Sequence, residues 1–132
     1  EMSETEFISA IVRDADCLLH LDVNNIYVNS CNFGFDAGEF MDALPLERTC
    51  YVHVAGHYVE PDGLLIDTHG AEVIDPVWSL LAAAYRRIGG NVPTCLERDF
   101  NIPDLAALTA EVEHIARLQA AAPAAAAARR AA

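Results

Sequence analysis

Three short runs, CLLHLDV at 17–23, CYVHVAG at 50–56 and NVPTCLERD at 91–99, each turn polar toward their C-terminal end, and patterns with helical periodicity separate them. Strands of about six residues alternating with helices of about ten to fifteen can join only through crossovers, which dictates an α/β architecture with a parallel sheet. The helical segments carry their own punctuation. Ser3 is followed three places later by Glu6 and then by Phe7, Ile8, Ile11 and Val12 at helical spacing, the pattern of a capped amphipathic helix. A short helix is expected near Asp36–Leu44, ended by Pro45. Another runs from about Asp75, an N-cap with Pro76 at the first helical position, to Ile88, where Gly89 and Gly90 stop it. Asp104 to Gln119 is the last core helix. The segment NSCNFGF after the first run reads as loop, as does the Gly-, Pro- and Asp-containing stretch after the second. The expected fold is therefore about three parallel strands with about four helices. Residues 121–132 form an alanine-rich, low-complexity tail.

In such folds chemistry collects outside the carboxyl ends of the strands, where the loops converge. Asp22, Asn24 and Asn25 end the first run, His53 and His57 the second, Glu97 and Asp99 the third, and Asp67 and His69 arrive from the long loop. Strand alternation puts Asp22 with Asn24, His53 with Ala55, and Cys95 with Glu97 on common faces. Imidazole mixed with carboxylate and amide suits iron, manganese or zinc. Singly, each residue has a simpler reading: a hydrogen-bonded histidine, a turn-capping aspartate, turn asparagines. Spacing alone leaves a metal site and a polar loop equally open. His20 is expected in the core, His114 on a helix apart from the site, and Trp78, Leu81 and Tyr85 in core packing.

The balance of 20 acidic against 8 basic residues, all of the latter arginines, gives a net charge of -12 and opposes binding to nucleic acid or an anionic membrane. Four cysteines lack a CxxC pair, and Cys17, Cys50 and Cys95 lie in strand-like runs as small hydrophobes, so a reduced, cytoplasmic protein is expected. No run approaches the roughly 20 apolar residues that span a bilayer. Glu1 precedes Met2, which leads to the expectation of a fragment.

The motifs LLHLDVNNIYVNSCNFGFD, DALPLERTCYVHVAGH, DGLLIDTHG and DPVW, in that order, resemble the C-terminal half of the multinuclear non-heme iron-dependent oxidases that include the enzyme of methanobactin biosynthesis. The resemblance covers residues 1 to about 120. It implies half of a xylose-isomerase-like TIM barrel, with Asp22, Asn25, His53, Asp67, His69 and Glu97 at metal positions. His57, Asn24 and Asp99 would be ligands or their supports. It implies two or three iron ions in the full-length protein, with zinc or manganese as alternatives. The reaction implied is dioxygen-dependent modification of a cysteine, or another residue, in a ribosomally made precursor peptide, with a companion protein that grips the peptide leader. Where the family often has tryptophan after the strand glutamate, Arg98 stands here and is expected to put a cation near the mouth. Two rivals stand beside this reading. One is a zinc- or manganese-dependent hydrolase or isomerase on the same barrel with Glu97 as base. The other is a non-catalytic fragment that self-associates through exposed strand edges and an apolar inner face.

Overall fold

The structure, a computed structural model, describes residues 1–123. The elements in order are α1 (Glu4–Asp14), β1 (Leu19–Asp22), α2 (Val23–Phe33), α3 (Ala37–Asp42), a single 3-10 turn (Leu46–Arg48), β2 (Thr49–Ala55), β3 (Tyr58–Val59), β4 (Leu65–Ile66), α4 (Asp75–Ile88), β5 (Thr94–Glu97) and α5 (Leu105–Ala121). Strands β1, β2 and β5 form one parallel sheet in that order, and β3 pairs antiparallel with β4 in a small separate hairpin. This is the α/β arrangement of a partial TIM-barrel-like fold. The expected tail enters the described residues only at its start: Ala121 closes α5, and positions beyond 123 lie outside them.

The local chemistry explains most of the elements. Ser3 and Glu6 close a reciprocal capping box at the start of α1, and Asp36 and Asp104 cap α3 and α5 through their side chains. Helix α4 differs slightly from expectation: Ile74 is its cap residue and Asp75 lies in its first turn, where a carboxylate still complements the helix dipole.

The larger correction is α2. Residues read as a loop after the first strand continue without a break into an eleven-residue helix. Asp22 is both the last strand residue and the helix N-cap, its Oδ1 accepting from the Asn25 amide at 2.8 Å. Asparagine-rich composition disguised the helix, but Val23, Ile26 and Val28 are its buried apolar residues and Gly34, at φ 74°, ends it in the left-handed conformation. Among the described residues the count is thus five α-helices rather than four.

One face of the sheet is packed. Leu19 and Leu21 of β1, Val52 and Val54 of β2, Val23 and Ile26 of α2, and Val77, Leu81, Ala84 and Tyr85 of α4 form a continuous core with Ile115 of α5. Trp78, Leu81 and Tyr85 are core residues as their spacing suggests, and the Tyr85 hydroxyl hydrogen-bonds Thr94 Oγ1 at 2.5 Å. The other face carries His20, Asp22, Tyr51, His53, Ala55, Cys95 and Glu97, by alternation from the observed register. It is polar and aromatic, not the apolar surface expected. His20 accordingly is exposed on this face, not in the core, with its ring edge-on to Tyr51 and His53. The four cysteines are free, and Cys50 is exposed rather than buried because it lies where β2 enters the sheet.

Beyond β2 the chain passes close to another segment. A Cβ on Gly56 would collide with the Ala71 and Glu72 backbone carbonyls, so the residue must be glycine for the site loop to lie against the strand end. Gly56→Ala is expected to cost about 1–3 kcal/mol, the usual range for overpacking a filled site. Urea unfolding followed by circular dichroism measures it, and an unchanged midpoint would contradict the close approach.

Candidate metal centre

The β1–β2 register sets Asp22 opposite His53, and the β2–β5 register sets His53 opposite Cys95 and Ala55 opposite Glu97. Three strand ends therefore present Asp22, His53 and Glu97 to one place. His53 Nδ1 lies 2.6 Å from Asp22 Oδ2, and its Nε2 contacts Glu97 Oε2. The imidazole is thereby held between two carboxylates, and His53 is 6% exposed.

His69 closes the group from the loop after β4. Its Nδ1 lies 3.0 Å from Glu97 Oε2 and 3.4 Å from Asp99 Oδ2, while its Nε2 lies 3.0 Å from Asp67 Oδ1. Its backbone has φ 53°, a left-handed conformation that costs a non-glycine residue roughly 1–2 kcal/mol. The neighbourhood holds it there. The Asp99 amide donates to the His69 carbonyl at 2.9 Å, Asn101 Nδ2 donates to the Gly70 carbonyl at 3.0 Å, and a Cβ on Gly70 would strike the Phe100 ring.

Asp67 is oriented from α2. Asn24 Nδ2 donates to its Oδ1, and Asn25 Nδ2 donates to its Oδ2 at 3.2 Å. Asn25 is itself steadied by Asn29, whose Nδ2 donates to Asn25 Oδ1 at 3.0 Å. Asn24 and Asn25 thus reach the site from the first turn of a helix, not by strand alternation with Asp22. Asn29 escaped the sequence reading, although its i+4 spacing from Asn25 follows once the segment is read as helix.

Among the described residues, two groups have ligand atoms that all lie within 4.8 Å of one another: Asp22, His53 and His69, and His69, Glu97 and Asp99. They share His69, and Glu97 touches both histidines. Asp67 adjoins them through His69 and Asn25 through Asp67 and Asp22, whereas His57 bonds Asn24 through Nδ1 at 2.9 Å and enters neither group. His114 lies in α5, stacked on Trp78 with ring centroids 4.6 Å apart, remote from the cluster as expected.

Charge makes the arrangement demanding. Asp22, Asp67, Glu97 and Asp99 surround two imidazoles, so carboxylates outnumber the groups that can carry positive charge. Two unit charges about 4 Å apart repel by roughly 4 kcal/mol at an effective dielectric near 20. The expected local cation is not there: Arg98 turns away and pairs with Glu111 at 2.9 Å, with side-chain exposures of 6% and 15%. Glu111 also accepts from the Val73 amide at 2.9 Å, tying the site loop to α5. Nitrogen and carboxylate donors in excess of local positive charge fit a borderline or hard multivalent cation.

The chain belongs to the family described as RiPP precursor modification enzyme MbnB/TglH/ChrH, whose model matches residues 1–120. It is 58% identical over 120 residues to a UPF0276 protein of Nitrosospira multiformis, covering 91% of this chain and 42% of the relative. To a UPF0276 protein of Shewanella amazonensis it is 54% identical over 122 residues, covering 92% and 44% respectively. To one of Pseudomonas aeruginosa it is 55% identical over 119 residues, covering 90% and 42%. The chain thus spans about two fifths of the length of these relatives. No helix among the described residues is long and apolar enough to cross a membrane.

Burial lowers the pKa of His57 from its ordinary 6.5, opposed by the nearby Asp67 charge. A histidine easier to protonate in the unfolded chain takes up a proton on unfolding. Its contribution to stability is fully present above pH 6.5 and declines as pH falls from there toward the lowered folded value. His57→Gln should flatten this part of the stability–pH profile, as measured by urea midpoints from pH 7.5 down to about pH 5. An unaltered slope would show that His57 is not the group responsible.

Proposed function

We propose that this chain forms one side of a metal-bearing mouth in a larger barrel, that of an oxidase acting on a ribosomally made precursor peptide. The observation that carries the reading is the convergence of Asp22, His53, His69 and Glu97 at the carboxyl ends of three parallel strands. Membership of a family of precursor-peptide modification enzymes supplies the substrate class. Residues 1–120 would be the structural part of that domain, and the alanine-rich tail would lie outside it.

Within this reading Asp22, His53, His69 and Glu97 hold metal, with Asp67 and Asn25 completing the set on the α2 side and Asp99 at the outer edge. Two ligand groups joined through His69 and Glu97 suit more than one ion, which favours the multinuclear form. Iron bound there would supply activation of dioxygen and binding of a substrate thiolate, the cysteine of the precursor being the residue modified.

The protein's own part is to position and to exclude. The two ring nitrogens of His53 meet Asp22 and Glu97, which fixes the ring's direction, and the αL backbone at His69 turns a loop imidazole back over the sheet. The packed helical layer keeps water from the opposite side of the strands. A companion protein that grips the peptide leader would deliver the substrate to the open face. This chain alone, lacking the remaining barrel, would be a weak metal binder without turnover.

Anaerobic titration with Fe(II), followed by calorimetry and by metal analysis after desalting, tests the ligand set. His53→Ala and Glu97→Ala are each expected to weaken binding by tenfold or more, about 1.4 kcal/mol or above. Binding as tight in His53→Ala as in the unaltered chain would remove the ligand assignment. In the protein bearing the whole barrel, two to three irons per chain are expected, and exclusive occupation by zinc or manganese after anaerobic purification would favour a hydrolase or isomerase instead.

A further inference from the structure

Asn24 is the one fully buried polar side chain of the fold's described residues that touches the cluster's carboxylates, with 0% exposure. It lies in the first turn of α2 and is engaged at both ends. Its amide nitrogen reaches Asp67 Oδ1 and its carbonyl oxygen faces His57 Nδ1 at 2.9 Å. An ionised carboxylate only accepts hydrogen bonds, so the Asn24 NH2 must point at Asp67 and the Asn24 oxygen must point at His57. That oxygen also only accepts, so His57 carries its proton on Nδ1.

We infer that His57 is a positioning residue: through Asn24 it fixes the orientation of the Asp67 carboxylate at the metal-binding cluster. The inference rests on the reading that this cluster holds metal. Its physical basis is the two-fold ambiguity of an amide. Rotated by a half turn, Asn24 would set its carbonyl oxygen against the Asp67 carboxylate and its NH2 against the His57 N–H, two repulsive contacts in place of two attractive ones. The His57 proton therefore selects one of the two orientations of a buried group.

Asp67 needs this support. It follows β4, which belongs to the two-stranded hairpin and not to the main sheet, so the sheet's register does not aim it. His57 follows Gly56 in the two-residue link between β2 and β3 and is 7% exposed, with the Tyr27 ring of α2 5.4 Å away. The sequence His57–Asn24–Asp67 thus ties the end of β2, the start of α2 and the loop after β4 into one unit, which ends on His69 Nε2. Burial lowers the pKa of His57, while the donor at Nδ1 is set by its hydrogen bond to the Asn24 oxygen.

The test compares anaerobic Fe(II) affinity, by calorimetry, for the unaltered chain, His57→Leu, His57→Gln, Asn24→Asp and His53→Ala, with thermal melting of each as a measure of folding. His57→Leu fills the buried position with an apolar side chain that has no donor, and is expected to weaken Fe(II) binding about 10- to 100-fold, the usual effect of removing a group that orients a ligand. His57→Gln offers an amide N–H to Asn24 and should recover most of the loss. Asn24→Asp places a carboxylate against Asp67 and should weaken binding at least as much as His57→Leu. Full affinity in folded His57→Leu overturns the inference, and so does failure of folded His57→Gln to exceed folded His57→Leu. If His57→Leu does not fold, full affinity in Asn24→Asp overturns it and weakened affinity there with recovery in His57→Gln supports it. Full affinity in His53→Ala is the separate result that removes the metal-site reading itself.

Discussion

Parallel pairing of β1 with β2 and of β2 with β5, in one register, is the constraint on which the remaining structure depends. Side chains alternate with period two, so a shift of one residue in either pairing would send the site residues of a strand into the helical layer and its apolar residues out of it. The packed face prevents that slip. Leu21, Val52 and Val54 are at most 1% exposed, and moving them to the open face would forfeit roughly 1.5–3 kcal/mol for each buried aliphatic side chain. Hydrophobic burial on one side of the sheet thus holds Asp22, His53 and Glu97 together on the other.

That division of labour accounts for the polarity of the open face. A sheet covered on one side by α2, α4 and α5 can carry charge on the other without weakening the core, because the two sets of side chains never compete for the same volume. The cluster of carboxylates is unfavourable by itself. It is sustained by hydrogen bonds from the first turn of α2: the Asn25 backbone amide donates to Asp22, and the Asn24 and Asn25 side-chain amides donate to Asp67. Helix α2 is in this sense part of the site, though none of its side chains is charged.

The connections supply what strands cannot. His69 comes from a loop whose path depends on close backbone approach at Gly56 and on the Gly70–Phe100 contact, and whose far side is anchored to α5 through Glu111. Arg98 belongs to that anchor. Placed one residue beyond Glu97, just past the end of β5, it points to the opposite side, so the residue that looked like a cation at the mouth instead braces the helical layer.

Much of this was legible in the amino-acid order. Strand runs polar at one end, the capping box at Ser3 and Glu6, and the spacing of Trp78, Leu81 and Tyr85 depend on short-range patterns, and each element formed where its pattern lay. Asp22, His53, His69 and Glu97 could be selected as a group because strand ends converge in any parallel α/β sheet. Other features needed three dimensions. An asparagine-rich segment became helix because Val23 and Ile26 joined the core that β2 and α4 build, a tertiary gain that outweighs weak local propensity. His20 and His53 share strand-like settings in sequence, yet one is exposed and the other enclosed, because only His53 lies beneath the loop that carries His69. The sequence by itself determined which residues could reach the mouth. The tertiary structure decided which of them meet, since Asn24 and Asp67 lie 43 residues apart, His57 and Asn24 33, and Arg98 and Glu111 13, and only packing brings such distant groups within hydrogen-bonding range.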